Sequence, residues 1–494
     1  MSNSSNIDAT VKSRTDQSSE VSAQDHHEDY ARTRVPDHAK RSAGAVLSVL
    51  VGFVTAFFFV LIGGLFLNKS GAASTWIALA ISFCMLIILT LIVSHTAAKE
   101  GLTGELLTRG AGFGAAGSVL TTLIYAGTFV IYAATEGQIL AHSIDQIWDL
   151  PDKVWYVVVA LIFLPMAWNG ISSMTKILSW TIVLYIALLA WAIVVAWQRN
   201  NGMPSDIFTA MPAGAVGGVT GVVAVLAAMA GTVGINPFEA ADYNRFIRAN
   251  EFKRKALLSV VLPYALLFFG AIPLGMYFTL ITGSADPSIY FIGLLGLVPG
   301  VVLAWVSQIR VNLTNIHVSS VAFASGSEIV GAPKLGRRFW ILAVTVACIA
   351  LMWFNVLGNL YVFLQWTGIF LLSWAACVVA DITVVRGLLK IVTGPIEYRT
   401  TKIRRYNPVG ITGLLSGTIT ASYIWLSVSD PVINGLSAYI GFVVAFAVHV
   451  GLAVATKGRT YFADPADPRI SATKGTLKKT SGFADLPASH EANG

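Results

Sequence analysis

PGVVLAWVSQIRVNLTNIHVSSVAFAS, Pro299 to Ser325, is a stretch that only a membrane-spanning helix accommodates, yet it carries Arg310 near its middle. A guanidinium at the bilayer centre costs at least about 2.5 to 3.5 kcal/mol on insertion scales, so Arg310 is expected to face a polar interior and to have a partner. The rest of the chain agrees with a membrane setting. Its 494 residues are 55% hydrophobic and 12% charged, with a mean hydropathy of +0.69, which excludes a soluble multidomain protein. Cys84, Cys348 and Cys377 are scattered through apolar segments, so neither a disulfide framework nor a metal cluster is suggested. The formal charge of +7 is spread between apolar segments and forms no single patch, so nucleic acid is not the expected partner.

Windows of roughly 20 apolar residues place spans near 43–67, 73–97, 114–141, 154–171, 176–198, 214–238, 256–282, 289–324, 339–356, 358–384, 408–427 and 433–455. The eighth window is too long for one crossing, so part of it is expected outside the membrane. Putting both ends of the chain in the cytoplasm gathers Lys99, Arg109, Arg245, Arg248, Lys253, Arg254, Lys255, Arg337, Arg338, Arg386, Arg399, Arg404 and Arg405 there, and leaves Lys69, Lys153 and Arg199 outside. The positive-inside rule demands this asymmetry, and an odd number of spans destroys it. Residues 1–41 and 457–494 then read as polar cytoplasmic tails, the first disordered and without the features of a secretory signal, around a membrane domain of 42–456.

In the sixth span, Gly231-Thr232-Val233-Gly234-Ile235-Asn236-Pro237 places two glycines and a proline within a few residues, and the helix is expected to break there. Unwound backbone at membrane depth needs protein or a wet cavity around it, and paired interruptions point to a transporter's binding site. Gly52, Thr55, Gly63 and Gly64 offer a weaker counterpart in the first span. The competing reading is that these small residues only let helices pack closely.

Three more ionisable groups lie in or near apolar segments. Asp381 precedes Arg386 near a span end and reads as a solvated helix terminus. Glu239 follows the expected break. Glu136 lies four residues after Tyr132, so a ring and a carboxylate share one helix face and suit a flat heteroaromatic ligand. Alternatively Glu136 and Arg310 form a buried pair that fixes helix packing. The histidines His95, His142, His317 and His449 lack metal-ligand spacing, and no cofactor is indicated. No Gly-rich loop ending in Gly-Lys-Ser/Thr is present, so an ion gradient or the substrate gradient must drive any transport.

Several stretches resemble the nucleobase:cation symporter family of purine-cytosine permease type. They are Glu28-Asp29-Tyr30-Ala31 with Val35-Pro36; Lys99-Glu100-Gly101-Leu102-Thr103-Gly104-Glu105; Ala241-Asp242-Tyr243-Asn244-Arg245-Phe246; Asn315-Ile316-His317-Val318-Ser319-Ser320; and Ala380-Asp381-Ile382-Thr383-Val384-Val385-Arg386. The resemblance implies an all-α, twelve-helix, leucine-transporter-type fold. Its two inverted five-helix repeats would fall near 43–198 and 214–384, followed by terminal helices within 408–455. It also implies a substrate seat between the first, third, sixth and eighth helices, with Tyr132, Glu136, Gly231, Thr232, Val233, Gly234, Phe238 and Asn315 around it. Val233 stands where relatives often place a tryptophan, so one aromatic face is either missing or supplied by Phe57, Phe58, Phe59 or Phe238. Ile309 and Arg310 occupy the positions of the family's sodium-binding hydroxyls. An isoleucine cannot coordinate sodium and a guanidinium repels it.

The expectation is a plasma-membrane permease for a small planar nitrogen heterocycle such as cytosine, a purine or an allantoin-like compound. Arg310 would replace the coupling cation, with proton coupling through Glu136 or Glu239, or exchange, as the open alternatives. A sodium-coupled or vitamin-precursor transporter of the same fold is the runner-up. A channel lacks the continuous polar pore it needs, and an enzyme lacks a converging nucleophile and base.

Overall fold

The computed structural model describes residues 30–471 except 31, 45, 48, 49, 51–55, 149, 169, 170 and 332–334, and for 171–180 and 328 the backbone alone. Among these residues the chain is built from helices: α1 (Phe57–Ser70), α2 (Ala72–Glu100), α3 (Ser118–Asp145), α4 (Asp152–Trp168), α5 (Ile171–Arg199) and α6 (Gly218–Asn244), then α7 (Ala249–Thr282), α8 (Leu297–Ile329), α9 (Arg337–Trp353), α10 (Leu360–Leu388), α11 (Pro408–Ser427) and α12 (Ser437–Ala455). Nine helices among the described residues are long and apolar enough to cross a membrane, and α1 is a shorter apolar helix. The long eighth window divides at Gly296, whose φ of +87° suits only glycine. A short helix, Pro287–Leu295, precedes α8, with Asp286 accepting from the Ser288 N–H at 2.8 Å as its cap.

Close backbone approach decides the packing, because lipid supplies no hydrophobic drive between helices. α1 crosses α7 where a Cβ on Gly63 would run into the Ile272 carbonyl and one on Gly275 into the Val60 carbonyl. Gly63 and Gly64 therefore serve a crossing inside α1, while the interruption of the first span falls before it. Ala56 is extended, with φ −62° and ψ 138°, and helix α1 starts at Phe57. Gly52 and Thr55 lie outside the described residues.

The sixth span corrects the sequence expectation, since α6 runs unbroken through Gly231, Gly234 and Pro237. Its small residues are used for packing instead. A Cβ on Gly234 would lie 2.6 Å from the Leu371 carbonyl carbon of α10, and one on Gly231 would lie 2.9 Å from Thr367 Oγ1. The Tyr264 hydroxyl of α7 donates to the Asn236 carbonyl at 3.1 Å. Tight flanking by α2 and α10 keeps the helix continuous where its intrinsic propensity is poor.

Asp381 is the second correction. It is 0% exposed, not solvated. Arg386 Nε donates to one oxygen at 2.6 Å and the Tyr461 hydroxyl to the other at 2.6 Å, with His449 Nε2 at 3.7 Å. The chain beyond α12 folds back and covers the carboxylate, which a one-dimensional reading of a helix end cannot show. Ahead of α1, Tyr30, Val35 and Ala43 are likewise buried. Arg34 pairs with Glu100 at 2.6 Å and donates to the Ile396 carbonyl at 2.7 Å, while Lys40 donates to the Arg245 carbonyl at 2.6 Å. These contacts strap Arg34 and Lys40 across the ends of α2 and α6.

Candidate functional site

The first turn of a helix leaves N–H groups without partners inside the helix, and the positive end of its dipole attracts an anion. Because α1 starts within the protein interior, its first N–H groups need an internal acceptor, and Glu136 of α3 supplies it. Phe58 N–H donates to Glu136 Oε1 at 3.0 Å and Gln308 Nε2 of α8 donates to Oε2 at 2.6 Å. The carboxyl is 0% exposed. Asn312 Nδ2 reaches Gln308 Oε1 at 3.5 Å, one turn further along α8. Three helices thus meet on one carboxylate through charge-assisted bonds, which are roughly twice as strong as neutral ones. Each oxygen keeps a lone pair for a further donor.

Tyr132 lies one turn before Glu136, as its spacing predicts. Its ring centroid is 5.0 Å from that of Phe58 at 46°, and 6.1 Å from that of Phe129 at 81°. Thr232 of α6 lies beside its hydroxyl. Phe58 therefore provides the aromatic neighbour that Val233 does not. Phe57 stacks on Phe291 at 4.9 Å, and Phe238 lies flat on Trp374 of α10 at 3.6 Å and 4°. Gly231 and Gly234 meet α10, and Val233 is buried in the core between helices. Asn315 is buried, and among the described residues its Oδ1 has no hydrogen-bond partner. A small cavity beside the polar chain is lined by Ala133, Gly137, Val159, Asn312, Ile316 and Cys348 among others.

Arg310 is 8% exposed and so lies out of bulk water. It leaves α8 two residues after Gln308, on a different face, and Nη1 approaches Thr181 Oγ1 of α5 at 3.5 Å with Tyr185 in electrostatic range. The expected alternative of a Glu136–Arg310 ion pair is not formed, because Glu136 is engaged by Phe58 and Gln308. Ile309 is buried in a second apolar cluster with α3, α4 and α9.

At the Asn244 end of α6, Asp242 Oδ1 accepts from Gly104 N–H at 2.8 Å and Oδ2 from the Tyr125 hydroxyl at 3.2 Å. One turn earlier Glu239 is buried. Sequence reasoning did not pick out Gln308, Asn312 or Asp242 as site groups. Gln308, Asn312 and Asn315 recur at i, i+4 and i+7, a polar stripe along an apolar helix that helical spacing could have revealed.

No protein-family model matches the chain, and neither does any curated protein sequence. Solved structures match it at the level of fold. An inward-facing conformation of Mhp1 superimposes with a TM-score of 0.69 at 13% identity, covering 91% of this chain and 98% of that one. A closed conformation of Mhp1, a nucleobase-cation-symport-1 family transporter with bromovinylhydantoin bound, gives 0.65 at 13% identity over 91% and 98%. A substrate-bound, outward-open Na+-coupled sialic acid symporter gives 0.57 at 12% identity over 88% and 92%. The chain thus shares its fold with a member of the family that its sequence motifs resemble.

Proposed function

We propose that this chain is a secondary active transporter for a nucleobase or a related small planar nitrogen heterocycle. It works by alternating access across the plasma membrane, with twelve crossings in two inverted repeats plus two terminal helices and with both ends of the chain in the cytoplasm. The observation that carries the reading is Glu136, set between the start of α1 and Gln308 with the Tyr132 and Phe58 rings beside it. A ring with N–H donors on its edge matches the free lone pairs of that carboxylate, and its face matches the aromatic side chains. The bromovinylhydantoin bound to Mhp1 is a ring of comparable kind.

The continuous α6 revises the expected seat, which is now built on one interrupted helix. Substrate would reach Glu136 when α1 moves relative to α3 and α8, with Asn315 and Thr232 as further polar contacts. Arg310 would fill the position of a coupling cation beside α5, so sodium is dispensable. Coupling then falls to protons through Glu136 or Glu239, or to exchange.

Thermal stabilisation of the purified protein against nucleobases, allantoin, hydantoins and pyrimidine vitamins tests the substrate class. A ligand at 100 times its dissociation constant adds about 2.7 kcal/mol. A panel in which none of these stabilises the protein would end the proposal. Uptake in vesicles with sodium replaced by choline tests the role of Arg310, with unchanged transport as the expected result.

A further inference from the structure

The Glu136 site leaves one buried carboxyl unexplained. Glu239 on α6 is 3% exposed, and among the described residues neither of its oxygens has a hydrogen-bond partner. Among the described residues the comparable buried carboxyls are provided for. Glu136 has an N–H and an amide, Asp242 an N–H and a phenol, and Asp381 a guanidinium and a phenol. Burying an ionised carboxylate without such partners costs several kcal/mol even after relaxation. In this conformation the surroundings accept Glu239 only as the uncharged acid.

The titratable groups facing Glu239 are Asp242 further along α6, Tyr125 and Tyr132 on α3, and Tyr264 on α7. No cation is among them. What α10 brings close to this part of α6 is Trp374, stacked on Phe238, and what α2 brings is Ser94, bonded to Asn244. Among the described residues the surroundings therefore offer no countercharge, and water admitted by a rearrangement would have to stabilise the ion.

We propose that Glu239 is the proton-binding site that drives transport, and that it acts on Asp242, the residue tying the end of α6 to Gly104 and to α3. This rests on the transporter reading above, and it separates two roles that the sequence left joined: Glu136 binds substrate and Glu239 carries the proton. A water-borne proton from outside adds to the Glu239 carboxylate and later leaves to cytoplasmic water, so only one O–H bond is made and broken per cycle. While Glu239 is neutral, Asp242 keeps its charge and holds the Gly104 N–H and the Tyr125 hydroxyl. Once Glu239 ionises, two carboxylates three residues apart on one helix repel, and Asp242 must give up its bonds or its charge. Loss of the proton is thereby linked to release of the contact between α6, α3 and the chain after α2.

The test uses the full-length protein in vesicles with labelled cytosine. One coupled proton lets the wild type accumulate substrate about tenfold per unit of imposed pH gradient. E239Q, permanently neutral, should keep exchange of labelled for unlabelled cytosine yet lose this accumulation, with a flat pH profile. E239D should restore part of both. An E239Q variant that accumulates cytosine within a factor of about two of wild type overturns the proposal. Should E239Q fail to fold, a pH dye inside lightly buffered vesicles compares E239D with wild type: less acidification per cytosine entered in E239D is expected, and equal acidification overturns the assignment to Glu239. Acidification on cytosine entry supports proton carriage, and cytosine entry with no pH change overturns it while leaving the transporter reading intact. Wild-type protein that exchanges neither cytosine nor any other compound of the thermal panel overturns both.

Discussion

Glu136→Gln isolates the contribution of charge at the centre of the site, because it keeps shape and removes one acceptor. In the wild type both carboxylate oxygens accept, from Phe58 N–H at 3.0 Å and from Gln308 Nε2 at 2.6 Å. A glutamine has one carbonyl oxygen and one NH2. If its oxygen keeps the Phe58 N–H, its NH2 confronts the NH2 of Gln308. Gln308 can flip and offer its own oxygen, but its NH2 then meets Asn312 Nδ2, which bonds to Gln308 Oε1 at 3.5 Å in the wild type. Asn312 can flip in turn, since its Oδ1 has no hydrogen-bond partner among the described residues. The whole chain of amides can therefore invert only by setting Asn312 Nδ2 where its Oδ1 stood, a place with no acceptor among the described residues, so one buried donor is left at the end of the chain. What is lost is the charge assistance of two bonds, about 1 to 3 kcal/mol in all, together with the lone pairs available to a ligand. Binding of a heterocycle should weaken about tenfold to a hundredfold, at 1.4 kcal/mol per tenfold. Isothermal titration of purified protein with the ligand found by thermal screening gives the affinity. Glu136→Leu, which orphans both donors, should be worse for folding than Glu136→Gln. The double variant Glu136→Gln with Gln308→Glu restores complementarity by reversing the pair, and should recover thermal stability without full affinity. Ligand affinity unchanged in Glu136→Gln would refute the argument, as would a double variant no more stable than the single.

Gly275→Ala places a methyl on the Val60 carbonyl at the crossing of α1 and α7, so a loss of about 1 to 3 kcal/mol should appear as a lower unfolding temperature of the detergent-purified protein. Asp381→Asn leaves the Arg386 guanidinium buried beside a neutral group, and the cost of about 3 to 5 kcal/mol for breaking such a pair should reduce recovery of monodisperse protein on size exclusion, whereas Tyr461→Phe should cost about 1 kcal/mol. Glu397, in the connection after α10, is pushed up by burial but held down to about 2 by Arg399 at 2.8 Å and Arg469 at 3.0 Å. Its folded value lies below the ordinary carboxylate range, so its stabilising contribution is complete above about pH 4.5 and disappears as the pH falls toward 2; the protection factors of amide hydrogen exchange around Arg469, corrected for the intrinsic pH dependence of exchange, should fall over that interval and stay constant from pH 5 to 7.

The wet partners of Arg310 and Glu136 were legible as a demand, since ionisable groups in an apolar helix must find polar company. Which company was not. Tyr132 and Glu136 share a face by spacing alone, and the structure keeps them together. Gln308 escaped notice because an uncharged amide in an apolar stretch raises no alarm until the opposing helix is in place. The Gly231–Pro237 stretch misled for a related reason: the same residues that weaken a helix also let another helix lie against it, and α10 settles the choice.

By itself the sequence determined the membrane environment, most of the helix positions, that the eighth window is too long for one crossing, and the family whose fold the chain shares, because hydrophobic length and helical periodicity are properties of neighbours in the chain. Tertiary structure alone decided that α6 stays whole, that Asp381 is buried under Tyr461, that Glu136 answers to the start of α1, and that Glu239 has no hydrogen-bonding partner among the described residues. Those outcomes depend on which side chains from distant segments come within about 3 Å of one another, and a linear pattern of apolar residues carries no record of that distance.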